Sequence, residues 1–213
     1  MISDTLFEAV TEIERYQKDF RAINKLLKAA GVSSHKEKPA GAEYYWQAGM
    51  GYSSIHFLRR FAAALAVNGD LPEPLKRSAK ASSAPELQTY SQQREKSKFK
   101  GAYDHLVCHS DADGYYVPVD FSQVLNTDQS VSLTGGYLGS SVRLQHECQT
   151  LAKHLELPEE LDFDTDDDDE WKQLKKATRG AAWHQYPIEA FVCVVLLQAC
   201  EWSIKQRAAI EFG

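Results

Sequence analysis

The stretch His105-Leu-Val-Cys-His-Ser-Asp-Ala-Asp-Gly-Tyr-Tyr-Val-Pro-Val-Asp-Phe121 sets short apolar runs on either side of an Asp-Ala-Asp-Gly turn. Residues 105–110 and 115–121 read as two strands, and the turn residues between them make a β-hairpin the natural reading. The segments on both sides carry helical periodicity. The chain is therefore expected to be α+β, a mainly helical body with a small central antiparallel sheet or hairpin.

Working outward, residues 3–30 place Leu6, Val10, Ile13, Phe20, Ile23 and Leu27 at three- and four-residue steps or their sums, with charged residues opposite. Ser3 or Asp4 suits the start of this helix, and Gly31 its end. A second helix is expected from Ser53-Ser54 to the stop Asn68-Gly69, with Tyr44-Tyr45-Trp46 as a short strand or extended lead-in before it. Residues 70–100 turn to Pro, Ser, Ala and Lys, which reads as a long connection with a partial helix over 86–98. After the hairpin, a further strand around Val131 and Leu133 leads to a glycine-rich entry. Ser140 or Ser141 then caps a helix with Leu144, Cys148, Leu151 and Leu155 on one face, ended by Pro158. Residues 171–178 form a short helix, and a final one runs from Pro187 through Phe191, Val195 and Trp202 to Ile210.

At 213 residues with a net charge of −6, the chain is expected to be one compact domain, residues 1–213. The acidic balance argues against broad binding to nucleic acid or an anionic membrane and permits a basic protein partner. The first residues lack a basic and then apolar signal, and the apolar run 190–197 is too short to span a bilayer, which points to the cytoplasm. The four cysteines are expected as reduced thiols: on a helix, Cys193 and Cys200 stand roughly 10 Å apart along the axis, beyond disulfide reach.

Four patterns bear on chemistry. Residues 109–120 overlay on a calcium loop, but His109 stands at the first ligand position and Asp120 at the last, where Glu is wanted. His105, Cys108, His109, His146 and Cys148 suggest zinc, yet strand alternation sends Cys108 away from the two histidines, and His146 and Cys148 diverge on a helix. Neither a nucleophile elbow nor a cysteine-protease signature is present, so catalytic residues stay unassigned, and no metal or cofactor is expected. The entry Gly135-Gly136-Tyr-Leu-Gly139-Ser140-Ser141 is the best candidate for a small anion, with Asp111, Asp113 and Arg143 beside it.

The acidic residues 156–170 carry the other candidate. Asp162, Phe163, Asp164, Asp166, Asp167, Asp168, Asp169, Glu170 and Trp171 combine charge for steering with aromatic anchors for affinity. The leading functional expectation is a cytosolic protein-binding protein, an acidic inhibitor or immunity-type protein that covers a basic partner. The alternative is a ligand-binding or hydrolase-like protein with its pocket between the Asp111-Asp113 turn and the 135–141 entry.

Overall fold

The computed structural model describes residues 2–37, 46–96, 102–110, 112–127, 132–158, 173 and 176–212, with side chains from Ile13 onward. Among them are six α-helices and a small mixed sheet: α1 (Ile2–Ala29), α2 (Ser54–Asn68), α3 (Pro85–Glu95), α4 (Asp104–Val107), β1 (Gly114–Val117), β2 (Leu125–Asn126), β3 (Tyr137–Ser140), α5 (Ser141–Leu155), α6 (Pro187–Gln206) and β4 (Ile210–Phe212). The fold is α+β, as the sequence indicates.

Helix ends follow local chemistry. Gly31 at φ +71° closes α1 with the paired bonds Gly31 N–H to Lys28 O and Val32 N–H to Leu27 O, a Schellman arrangement that satisfies carbonyls otherwise left open. Gly69 at φ +80° does the same for α2 through Leu65 O. Pro85 starts α3, shorter than expected, and the Ser140 hydroxyl accepts the Arg143 N–H at the start of α5. The last helix stops at Gln206 and not at Ile210: Arg207 turns left-handed, and Ser203 ties the exit by accepting Ala208 N–H on its carbonyl and donating its hydroxyl to Ala208 O.

The sheet differs from a hairpin. Its order is β2-β3-β1-β4; β1 pairs parallel with β3, Tyr116 opposite Gly139, and antiparallel with β4, Tyr116 opposite Ile210. The expected strand over 105–110 is replaced by the single helical turn α4. Its ends are satisfied by side chains from elsewhere, which local sequence cannot show. Both Glu147 oxygens accept backbone N–H groups, from His105 at 3.0 Å and Leu106 at 2.8 Å. Arg59 donates to the carbonyls of Leu106, His109 and Ser110 at 2.7–2.8 Å. Tertiary partners thus override a weak strand preference. The expected strand around Leu133 is found at Leu125–Asn126, while Leu133 is a buried loop residue and Val131 lies outside the described residues. Tyr44 and Tyr45 lie outside them too, as do 171, 172, 174 and 175 of the short helix expected over 171–178, whose residues 173, 176 and 177 are helical.

Strand β1 is buried on both faces, and its alternation joins two clusters. Tyr116 points into the helical core with Leu58, Phe61, Leu144, Leu151 and Cys193. Tyr115 and Val117 point the other way, onto Ile23 and Leu27 of α1. Helix α1 is fastened there by the buried Asp19, which accepts Tyr115 Oη at 2.9 Å and Thr134 Oγ1 at 2.7 Å. Tyr16 adds a bond from its hydroxyl to Glu211 of β4 at 2.7 Å. Helix α6 is long and apolar enough to cross a membrane by length and composition, and its buried residues pack against α5 and α2 in the core.

Candidate functional site

A helical turn over Asp104–Val107, with Cys108 and His109 just after it, removes the strand alternation on which their separation was argued, and the structure gives each residue a packing partner. His105 is 1% exposed; its Nδ1 accepts Ser140 N–H at 3.0 Å, so a neutral ring carries its proton on Nε2. His109 stacks on Tyr116 with ring centroids 4.1 Å apart, and its two nitrogens face the carbonyls of Ser110 and Tyr115 at 3.2 and 3.1 Å. Burial pushes both imidazoles down to about 4, although the neighbouring carbonyls pull the other way. Burial pushes the Glu147 carboxyl up to about 8, opposed by the two N–H groups it receives.

Cys108 directs its thiol at Asp104, 3.6 Å away, and burial raises it to about 12. Asp104 also accepts Tyr90 Oη at 2.9 Å and Arg94 Nε at 3.0 Å. Burial thus holds the thiol protonated and the imidazoles neutral, the opposite of what an activated nucleophile or general acid requires. Among the described residues no three His, Cys, Asp or Glu side chains gather as a metal would need.

The proposed anion entry is also used for packing. Gly135 lies against the tip of the preceding turn: a Cβ there would meet Asp113 C and Gly114 N at 2.4 Å. The two segments therefore touch directly at this point. Gly136, at φ +71°, shares the turn, and Gly139 is a strand residue of β3, not part of a loop. Ser140 is consumed as a cap, Ser141 Oγ pairs with Ser203 Oγ at 2.9 Å, and Arg143 forms an ion pair with Asp120. Asp113 is exposed, and Asp111 lies outside the described residues.

The acidic candidate, Asp162, Phe163, Asp164, Asp166 to Glu170 and Trp171, lies outside the described residues as well. What the structure places is its approaches. Helix α5 ends with Glu156 at φ 55°, and Glu156 Oε2 accepts Ala182 N–H at 2.7 Å, bringing the chain before and after the run together. The charge statistics of the run are unusual. Residues 156–170 hold ten of the thirty carboxylates and no lysine or arginine, leaving twenty acidic against 24 basic side chains in the other 198 residues. The chain is acidic because of this one segment.

A second surface was not anticipated. Helix α1, residues 46–52, the C-terminal half of α6 and β4 enclose a groove of about 1840 Å³. Ile13, assigned to the core by periodicity, stands 56% exposed on its wall, and Tyr52 is 66% exposed beside it. The only sequence signal was the excess of aromatics before α2, which reads equally well as core.

A family model described as "Putative DNA-mimic protein" matches residues 1–212, essentially the whole chain, and the protein belongs to that family. No curated protein and no solved structure matches it. Membership in a DNA-mimic family makes this an acidic protein that works by engaging another protein.

Proposed function

We propose that this protein occupies the DNA-binding surface of a DNA-binding protein, with the carboxylates of residues 156–170 taking the place of backbone phosphates. The observation that carries the reading is the density of that charge in a chain of the DNA-mimic family. Duplex DNA presents one charge per roughly 1.7 Å of axis and each strand one per roughly 3.4 Å. Ten carboxylates on fifteen residues give about one charge per 5 Å if the segment is fully extended. Wound as a helix, the same segment would carry about one per 2 Å. Duplex and single-strand densities lie at or within reach of that range, so a surface built to neutralise phosphates meets a comparable field here.

Phe163 and Trp171 add what phosphates lack, apolar anchors that favour this chain over non-specific DNA. The consequence is inhibition of the partner's DNA binding. An immunity-type inhibitor of a DNA-cleaving enzyme is one form of that activity, and a cytosolic setting, where DNA-binding partners are at hand, suits it.

The test is a capture experiment with the full chain as bait, alongside a variant with Asp166, Asp167, Asp168 and Asp169 each changed to Asn. The intact chain is expected to retain a DNA-binding protein that elutes with salt, and the variant to bind it at least about tenfold more weakly. Equal retention by both baits would show that these carboxylates do not carry the interaction.

A further inference from the structure

Helix α5 does not end on glycine. Gly31 and Gly69 close α1 and α2, but the corresponding left-handed position after α5 is held by Glu156 at φ 55°, a conformation that glycine adopts without the crowding a Cβ brings. The backbone part of this cap is complete without the side chain: Glu156 N–H reaches Ala152 O and Lys153 O, and Leu157 N–H reaches Ala152 O at 3.0 Å. What the carboxylate adds is a bond across 26 residues, its Oε2 accepting the Ala182 N–H at 2.7 Å. Ala182 opens the single 3₁₀ turn Ala182–His184, so its N–H has no acceptor within that turn.

The two residues joined in this way are the two ends of the acidic segment. Nine of the ten carboxylates of residues 156–170 lie between them, and the tenth is Glu156 itself. Leu157 on one side and Ala181 and Ala182 on the other pack against the main core, all three only half-buried, so the ends sit at the edge of the core and the bond ties one directly to the other. Like charges along one chain repel and extend it, which drives its ends apart. The Glu156 bond opposes that spreading where the segment joins the body. Freedom removed before binding is not lost again on binding, so a segment closed at its base is ordered on a basic surface with less loss of entropy than one whose ends stand free.

We infer that Glu156 is a positioning residue: its carboxylate, engaged by Ala182, closes the base of the acidic segment and so presents the other nine carboxylates to a basic partner from one fixed place on the core. The inference rests on the reading of residues 156–170 as the partner-binding segment.

Two variants of equal charge separate the bond from the charge. Glu156→Gln keeps a carbonyl oxygen for the Ala182 N–H, whereas Glu156→Gly removes the acceptor and suits the left-handed backbone better. Hydrogen exchange of the purified full chain reads the bond without any partner: the Ala182 amide is expected to exchange at least about tenfold faster in the Gly variant than in wild type. Binding of a labelled oligoarginine peptide at low salt, followed by anisotropy, reads the presentation of the segment. The Gly variant is expected to bind at least about threefold more weakly than the Gln variant, while its urea midpoint is no lower. A purely structural role would lower midpoint and affinity together. Equal Ala182 exchange in the Gly variant and wild type, equal affinity of the Gly and Gln variants, or an affinity that falls only in step with the midpoint would each overturn the inference alone. A wild-type chain that does not bind the peptide would overturn the reading of the segment and the inference with it, so the two failures are told apart.

Discussion

Acidifying the protein from pH 7 to pH 4 is expected to remove about 3 kcal/mol of folding stability, the loss through two histidines outweighing the gain through one carboxyl. His105 and His109 are buried with folded values pushed down to about 4, against about 6.5 for a free imidazole. Above pH 6.5 neither the folded nor the unfolded state binds these protons, and the contribution is fully present. Below it the unfolded chain takes up two protons that the folded chain refuses, so stability falls as pH drops toward 4. At about 1.4 kcal/mol per unit, each histidine accounts for about 3 kcal/mol.

Glu147 acts with the opposite sign. Its folded value is raised to about 8, so its contribution is greatest below the ordinary carboxylate range and declines as pH rises toward 8. Between about 4.5 and 6.5 two histidines outweigh one carboxyl, and above 6.5 only the carboxyl titrates. Stability is therefore expected to peak near pH 6.5. Urea denaturation at half-unit steps from pH 3.5 to 9 reads this profile directly, and Glu147→Gln should flatten its alkaline side. A profile unchanged between pH 7 and 4 would show that the histidines are not held neutral by burial.

Gly139→Ala is expected to destabilise the fold by about 3–5 kcal/mol, far more than a methyl group on a strand ordinarily does. A Cβ at this position would stand 2.3 and 2.4 Å from two ring carbons of Tyr116, its register partner, and 3.1 Å from His109 Cδ2. The tyrosine cannot swing aside cheaply. It is 1% exposed, stacks on His109, and donates its hydroxyl to the His105 carbonyl at 2.7 Å. Displacing the ring would leave that carbonyl unsatisfied as well as straining the core. Gly49→Ala is the natural control, because a Cβ there meets nothing within 4 Å, and it should leave the denaturation midpoint nearly unchanged. A Gly139→Ala protein within about 1 kcal/mol of wild type would mean that β1 and β3 have more room than this packing implies.

These two results concern the region that the sequence describes least well, and the reason is physical. Where a signal is local, it was legible: Gly31 and Gly69 stop their helices and Ser140 caps another, while Pro85, read as a limit on helix propagation, stands at the start of one. The turn at 104–107 is helical because Glu147 and Arg59 reach it from 42 and 47 residues away, and no window around His105 contains them. Parallel pairing of β1 with β3 likewise depends on a crossover, not on a turn. Strand β4 was hidden at the end of an apolar helix, where only the left-handed Arg207 breaks the run. Periodicity placed Ile13 on the buried face, but the helix lies against the sheet through Ile23 and Leu27, and Ile13 opens onto the groove.

The acidic run was evident from composition because charge needs no fold to be counted.

The central claim is that residues 156–170 stand where DNA would stand. Its most direct measurement titrates a duplex oligonucleotide into the complex between this chain and the DNA-binding protein it captures, followed by fluorescence anisotropy of the labelled chain. The account predicts full displacement by duplex, with affinity for the chain falling as salt rises, in the manner of phosphate contacts. A stable ternary complex, in which the partner holds the duplex and this chain at once, would contradict it.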